Sequence, residues 1–343
     1  MSESADVVVL GLGPAGAAAA AAAARRGCKV IALERKREAG VPVQCAEFVP
    51  ALIGIEVAGV AGAVRQRIEA MATFVEDEAA DLQSNFPGQM LDRAAFDALL
   101  AAQAARAGAQ LRFSTAVRKV GRDGRVQLAD GGSIAARVVI GADGPRSRAG
   151  QAIGSVNAEM VETRQLSVAL TRPHAATDIF LSAAIPGGYG WLFPKDATAN
   201  LGAGVSPAHK ARLKSIVARL HASLVSAGRV GKQVLSRTGG LIPVGGLLAP
   251  WGRLGQTLVL LAGDAAGLAN PVTGAGIAAA VFSGRLAGET AAGGSPEDYR
   301  GELEDVFGAA LDRALRRRRE LLEAKPGKSA LRRAWIAYPE YWQ

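Results

Sequence analysis

Cysteine is scarce: Cys28 and Cys45 are the only two in 343 residues. Two thiols cannot staple a chain of this length, so a disulfide scaffold is excluded and a reducing cytoplasm is the expected home. Histidine is scarcer than chance would supply, and His174, His209 and His221 show neither ligand spacing nor a partner acid. No metal is expected. Aromatic residues make up only 5%. Long apolar runs are also missing, with one apparent exception. Val7–Ala24 carries no charge over 18 residues, close to spanning length. It is broken by Gly11, Gly13, Pro14 and Gly16 and preceded by Glu3 and Asp6, the reverse of the basic flank of a signal peptide. It reads as a buried strand and a packed helix, and neither a transmembrane segment nor a targeting signal is expected.

What is present is a globular composition, 49% hydrophobic and 21% charged, which excludes disorder. The length suits one large domain or two interleaved ones. Glycine, at 42 residues, signals tight turns and close backbone approaches. The net charge is +9, and Leu311–Gln343 holds nine Lys or Arg against four acids. No nucleic-acid motif accompanies this basic tail, so nucleic acid is not an expected partner. A terminal basic helix is expected to face an anionic membrane surface, an acidic protein or water. Arg316–Arg319 is expected to be a solvated face.

The first 35 residues read as a βαβ unit: strand Val7–Leu10, an alanine-rich helix Ala17–Arg26 ending at Gly27, and strand Lys29–Glu34. A helix is expected from Asp92 to Ala107, then strands joined by hairpin signals at Asp123-Gly124 and Asp130–Gly132. Strand Arg137–Ile140 leads into Gly141–Gly144. Residues 160–250 look strand-rich, with a basic amphipathic helix near 207–227. Strand Thr257–Leu261 precedes Gly263-Asp264 and a helix opening near Gly274.

Gly11-Leu-Gly13-Pro14-Ala15-Gly16 fits GxGxxG between a strand and a helix. Gly11 permits the tight turn, Gly13 lets backbone approach a diphosphate, and Gly16 allows close helix packing. The diphosphate then sits on a helix N-terminus, where free N–H groups and the dipole favour an anion. Glu34, 23 residues after Gly11, is placed to accept from an adenosine ribose. A second helix opening at Asn270-Pro271-Val-Thr-Gly274-Ala275-Gly276-Ile277 would stabilise negative charge on a reduced flavin or its phosphates, with Asp264 accepting from a ribityl hydroxyl. Non-covalent FAD is therefore the expected cofactor.

Gly11–Gly16, Leu91–Asp97, Gly141–Gly144 and Gly263-Asp264 with Pro271–Gly276 resemble the sequence blocks of glutathione-reductase-type flavoproteins, in the branch of para-hydroxybenzoate hydroxylase. The resemblance implies an α/β fold. Its FAD-binding Rossmann-like domain is interleaved with a β-sheet substrate domain, and a short C-terminal helical tail follows. FAD-binding parts are expected at 1–70, 91–158 and 251–292, substrate-domain strands at 71–90, a substrate or cap domain at 159–250, and the basic helix and tail at 293–343. It further implies that Arg93 reaches the FAD phosphates, that Asp143 and Gly144 form a turn near the diphosphate, and that Pro271 lies near the reactive edge of the flavin. Arg35, Gln44, Val117 and Gly263 complete the expected cofactor-binding set.

Two more segments narrow the family. Pro42-Val-Gln44-Cys45-Ala46-Glu47 resembles the Pro-x-x-Cys-Gly-Glu loop of the geranylgeranyl reductase family, with Ala46 in place of the usual Gly. Tyr189-Gly-Trp191-Leu-Phe193-Pro194 resembles that family's Tyr-x-Trp-x-Phe-Pro motif, whose residues line the substrate cavity. The resemblance implies saturation of isoprenoid double bonds by hydride from reduced FAD. Cys45 is then either a proton donor to the developing carbanion, a substrate orienter or a small buried hydrophobe; Cys28 is a packing residue. No second GxGxxG with strand–turn–helix context is present, so electrons come from transient NAD(P)H or from reduced ferredoxin. The expected partners are a hydrophobic small molecule or an acidic redox protein, with peripheral membrane contact through the basic tail. Two other readings stay open: an electron-transfer flavoprotein serving a partner, and a flavin monooxygenase. A halogenase fits less well, because Tyr189 stands where its first Trp is expected.

Overall fold

The computed structural model describes residues 3–51, 53, 57–322 and 326–343. Glu323 and Lys325, part of the basic tail, lie outside them. An eight-stranded sheet forms the base, ordered Trp251–Leu254, Thr257–Leu261, Ser133–Gly141, Glu3–Leu10, Val30–Leu33, Gln110–Arg112, with the hairpin Val117–Val120 and Val126–Leu128 beside Ser133–Gly141. All but the first strand of that order run parallel. Val7–Leu10, Val30–Leu33 and Thr257–Leu261 are buried throughout, as expected for strands covered on both faces.

The alanine-rich helix Pro14–Arg25 covers one face and packs against Ile277–Ala291. Its composition follows from this contact. A Cβ at Gly284 would stand 2.1 Å from the Ala15 carbonyl oxygen, and one at Gly288 would stand 2.3 Å from that of Ala19. Only residues without bulk let the two backbones meet so closely. The latter helix starts at Ile277 rather than Gly274, because Gly274 holds a left-handed φ of 69°.

A seven-stranded sheet makes the second layer, ordered Val230–Pro243, Met160–Leu170, Thr198–Val205, Gly190–Lys195, Ala176–Leu181, Ala70–Val75, Asp81–Gln83. The basic segment near 207–227 is a 3₁₀ turn, Pro207–Arg212, followed by the helix Leu213–Ser226. That helix buries Leu213, Ile216, Val217 and Leu224 against Leu192, Leu201 and Val205 of the sheet. The opposite face carries Trp191 and Phe193, with Leu331, Trp335 and Tyr341 of the C-terminal segment packed over it. A small sheet of Phe48–Pro50, Gly88–Leu91 and Val64–Ile68 joins the layers.

Two expectations about charge are corrected. His174 does have a partner acid: its Nε2 is 2.9 Å from Asp178, which Arg229 also binds at 2.5 Å. The run Arg316–Arg319 is not one solvated face. Arg316 and Arg319 are exposed, but helical periodicity turns Arg318 inward and ties Arg317 to Glu320 and the carbonyls of Glu340 and Tyr341. Lys328 and Arg332 bind Asp77 and Glu78, and Arg333 binds Glu320. Lys328 and Arg332 thus hold the tail to the sheet that carries the aromatic wall, while Arg317 and Arg333 hold the tail to itself.

Candidate active site

Between the two layers runs a cavity of about 480 Å³. At one end it is lined by Gly13, Pro14 and Ala15, by Ala142 and Gly144, and by Asp264 with Pro271–Ile277. These are the turns at the carboxyl ends of three parallel strands, where ligands bind in open α/β sheets. The three glycines of the first turn divide in their roles. A Cβ at Gly11 would stand 2.4 Å from the Ala142 oxygen, and one at Gly16 would stand 1.9 Å from the Gly11 oxygen. Both are needed by the turn itself. Gly13 would meet nothing within 4 Å, and it faces the cavity. Two helix N-termini thus open on a space that no protein atom fills at Gly13, and these residues fit FAD.

Asp264 is enclosed by protein but opens its carboxylate to the cavity, and burial pushes its pKa up to about 6 against the pull of Arg93. A carboxylate so placed can accept from ligand hydroxyls. Several residues expected at the cofactor lie outside the cavity. Glu34 accepts from the backbone N–H groups of Leu12 and Lys36, both at 2.9 Å, and so braces the glycine turn. Arg35 is exposed, Val117 opens an outlying strand, and Gly263 packs against Ala15 and Ala280. The Asp143 carboxylate turns away, accepting from Ser147 Oγ and the Arg148 N–H, both at 2.6 Å, at the start of the helix Arg148–Ile153. Burial raises its pKa. Only the backbone turn beside it, Ala142 and Gly144, reaches the cavity.

The other end is aromatic. Tyr189, Trp191 and Phe193 line it together with Phe48, Phe86 and Trp335. Alternation along Gly190–Lys195 places Trp191 and Phe193 on this face and sends Pro194 to the other, so Pro194 is not a cavity residue. The Tyr189 ring centroid is 4.7 Å from that of Trp335, and its hydroxyl donates to the Thr273 carbonyl at 2.6 Å. The wall is thereby joined to the loop that follows Pro271.

Cys45 lies where the two ends meet. Its Sγ accepts from the Glu47 N–H at 3.2 Å, with the guanidinium of Arg93 beside it. Arg93, expected to reach phosphate, lines the cavity, and its Nε and Nη2 donate to Asp97, both at 3.0 Å. Burial works to lower the Arg93 pKa, but Cys45 and Asp97 outweigh it and the net direction is up. Burial, and to a lesser degree Cys45, raises the pKa of Tyr189.

The Cys45 loop is held from three sides. Thr238 Oγ1 donates to the Val43 carbonyl and Gln44 Nε2 to that of Gly239. Gln165 donates to the Cys45 carbonyl at 3.0 Å and accepts from Trp191 Nε1 at 3.1 Å. Glu47, buried and with φ of 70°, accepts from Lys195 Nζ at 2.9 and 2.8 Å, from Asn200 Nδ2 at 2.9 Å and from the Arg93 N–H at 3.0 Å. Sequence reading missed Gln165, Asn200, Thr238, Trp335 and Arg318. These roles depend on contacts across well over a hundred residues of chain.

Residues 4–185 match the FAD binding domain family, and residues 160–241 match the geranylgeranyl reductase catalytic domain. Digeranylgeranylglycerophospholipid reductase 2 of Methanopyrus kandleri is 36% identical, over 91% of this chain and 85% of its own. A geranylgeranyl bacteriochlorophyll reductase-like structure from Thermoplasma acidophilum aligns with a TM-score of 0.84 at 24% identity, covering 99% of this chain and 98% of that one. A myxobacterial chondrochloren halogenase shares the fold at a TM-score of 0.67 and 21% identity, over 93% and 80% of the two chains. The sequence blocks, the cavity they line and these likenesses agree: the chain belongs to the geranylgeranyl reductase family of FAD-dependent oxidoreductases.

Proposed function

We propose that this enzyme saturates carbon–carbon double bonds in the isoprenoid chain of a lipid. The observation that carries the reading is the single cavity running from the glycine turns to an aromatic wall, with Cys45 between them. Bound FAD in its reduced form supplies a hydride to one alkene carbon. The chain's own residues do the rest. Gly13–Ala15 and the opening of the helix at Ile277 hold the anionic parts of the cofactor. Tyr189, Trp191, Phe193 and Trp335 align an apolar chain and exclude water. The second alkene carbon takes a proton, and Cys45 Sγ is the group that delivers it.

Electrons reach the site from NAD(P)H bound transiently or from a reduced ferredoxin-like acidic protein. Arg316 and Arg319, exposed on the tail, serve contact with such a partner or with an anionic membrane surface. No helix among the described residues is long and apolar enough to cross a membrane.

The test is anaerobic mixing of dithionite-reduced holoprotein with geranylgeraniol and with an archaeal-type unsaturated ether lipid. Alkene-dependent reoxidation of the flavin, with two hydrogens gained per double bond by mass spectrometry, is expected. Flavin that stays reduced with either alkene, and that in a parallel aerobic run reoxidises with an oxygenated product, would overturn the reading.

A further inference from the structure

Gly188, Gly204, Gly239 and Gly240, from the seven-stranded sheet and the turn that enters Gly190–Lys195, line the cavity. The first three are demanded by their own neighbours. A Cβ at Gly188 would stand 2.3 Å from the Gly204 oxygen, one at Gly204 2.8 Å from Val161 Cγ1, and one at Gly239 2.4 Å from the Thr163 oxygen. Gly240 is different. Apart from its chain neighbours, the nearest described atom to a Cβ there would be Gln44 Cβ at 4.0 Å, and its φ lies outside the left-handed region. Glycine weakens the interior of a strand, and where it persists it marks a bulge, a bend, a close backbone or a ligand. The register Thr163–Gly240, Arg164–Gly239, Gln165–Thr238 runs without a shift inside the continuous strand Val230–Pro243, so there is no bulge here. No described backbone approaches either. The clearance over Gly240 is left for a ligand.

The Gly240 N–H donates to Thr163 Oγ1 at 3.0 Å, and that hydroxyl donates to the Gly240 carbonyl at 3.1 Å. Both polar groups of the glycine are therefore taken by protein, and its Cα hydrogens are what the cavity meets. Leu241 and Ile242 line the cavity beside it, and Gln44, the neighbour of Cys45, lies across from it. Such a surface takes carbon rather than a charged or hydrogen-bonding group. We infer that Gly240 sets the width of the substrate channel, its clearance taking the methyl branch of the isoprene unit that is reduced. The inference rests on the reading of the cavity as an isoprenoid-reducing site and names the feature of the substrate that the cavity measures. An isoprene unit is wider than a linear chain by one methyl at its double bond. A methyl added to the floor at Gly240 would compete for that space. Apolar pockets discriminate a single carbon only in part, so the effect grows from alanine to valine.

The experiment titrates FAD-loaded wild-type, Gly240→Ala and Gly240→Val proteins with geranylgeraniol and with hexadecanol, which has the same main-chain length without methyl branches. Flavin absorbance reads binding, and turnover of geranylgeraniol is measured beside it. Gly231→Ala is the control, on the same strand but outside the cavity, where a Cβ would meet Ala169 at an ordinary 3.7 Å. Gly240→Ala is expected to weaken geranylgeraniol about 5- to 100-fold and hexadecanol by less than about threefold. Gly240→Val weakens geranylgeraniol further and removes its turnover. FAD affinity stays at the wild-type value in both, and apoprotein melting stays level or rises, since alanine and valine suit a strand better than glycine. Wild-type affinity for geranylgeraniol in Gly240→Val overturns the inference. So does an equal loss for both alcohols, which would mean a blocked cavity, and so does a loss of FAD affinity, which would give the clearance to the cofactor. The two readings fail separately: alkene reduction indifferent to Gly240 leaves only the reductase standing, and branch-selective binding lost in Gly240→Ala without any reduction leaves only the width. Should Gly240→Val fail to fold, Gly240→Ala decides.

Discussion

Replacing Lys195 with methionine should loosen the Cys45 loop by a calculable amount. Glu47 is 6% exposed at its side chain and Lys195 is 23% exposed, and the ammonium supplies two of the four donors that reach the carboxylate. Removing one partner of a fully buried pair costs about 3–5 kcal/mol, because the other charge is left uncompensated. The partial exposure of Lys195 admits water to the gap, which reduces the expected loss to about 2–3 kcal/mol. Glu47→Gln removes the charge but keeps a single acceptor oxygen, so either Asn200 or the Arg93 N–H, which bind different oxygens, loses its partner, and its cost should be about 1–3 kcal/mol. The double variant removes the stranded charge, and the cycle should show a coupling of at least ~1 kcal/mol. Urea unfolding at fixed, saturating FAD reads these values, with turnover measured beside it. Additivity within ~0.5 kcal/mol would mean that Glu47 and Lys195 do not depend on each other, and the account of how this loop is held would be wrong.

Gly13→Ala should leave the apoprotein as stable as wild type or up to ~1 kcal/mol more so, since φ of −73° suits alanine and nothing lies in the way, while FAD affinity falls; calorimetry and flavin titration read the two effects. Gly16→Ala, whose Cβ would meet backbone at 1.9 Å, should cost about 1–3 kcal/mol or more before any cofactor is added; equal melting of the two apoproteins would refute the division of roles. The pKa of Asp264 is raised in the fold to about 6 from 3.8, so the apoprotein is penalised as pH rises through that window, by at most about 3 kcal/mol. Asp264→Asn apoprotein should therefore be the more stable of the two at pH 8, with the advantage fading towards pH 4, and should bind FAD less tightly; a pH-independent difference would refute this. Cys45→Ala should retain FAD binding and lower turnover about 100-fold or more, and unchanged kcat would remove Cys45 as the acid.

The cofactor half of the site was legible because its constraints are local. Gly11, Gly13 and Gly16 lie within one turn, and the strands Val7–Leu10 and Val30–Leu33 before and after the helix announce themselves as short unbroken apolar runs. Even there the assignment by type was too generous. The Asp143 carboxylate has the right chemistry at the right position, yet Ser147 and the Arg148 N–H take it up, and Arg93 lines the cavity while its guanidinium is shared with Asp97. A side chain with several donors or acceptors can be claimed by a neighbour, and no pattern of residues records which neighbour wins. The far half depended on contacts between distant segments. Gln165 meets Cys45 across 120 positions, and Arg318 meets Gly187 across 131. The tail was read from its net charge as a surface for partners. Charge alone does not tell a helix face that meets solvent from one whose arginine is turned inward.

The fold cannot decide the chemistry, since a halogenase shares it. The chemistry depends instead on how the Cys45 loop is joined to the sheet that carries the aromatic wall. Glu47 is held in a left-handed conformation that costs a non-glycine residue energy, and it persists because Lys195, Asn200 and the Arg93 N–H all converge on its carboxylate. Lys195 ends the same strand that presents Trp191 and Phe193, and Trp191 returns through Gln165 to the Cys45 carbonyl. The thiol and the aromatic wall are therefore positioned by one closed circuit of contacts. A substrate that shifts the wall shifts the thiol with it. This predicts that Gln165→Leu, which leaves Trp191 Nε1 and the Cys45 carbonyl without partners and costs about 1–3 kcal/mol, lowers kcat more than it raises KM. An effect confined to KM would show that the wall binds the chain independently of where Cys45 stands.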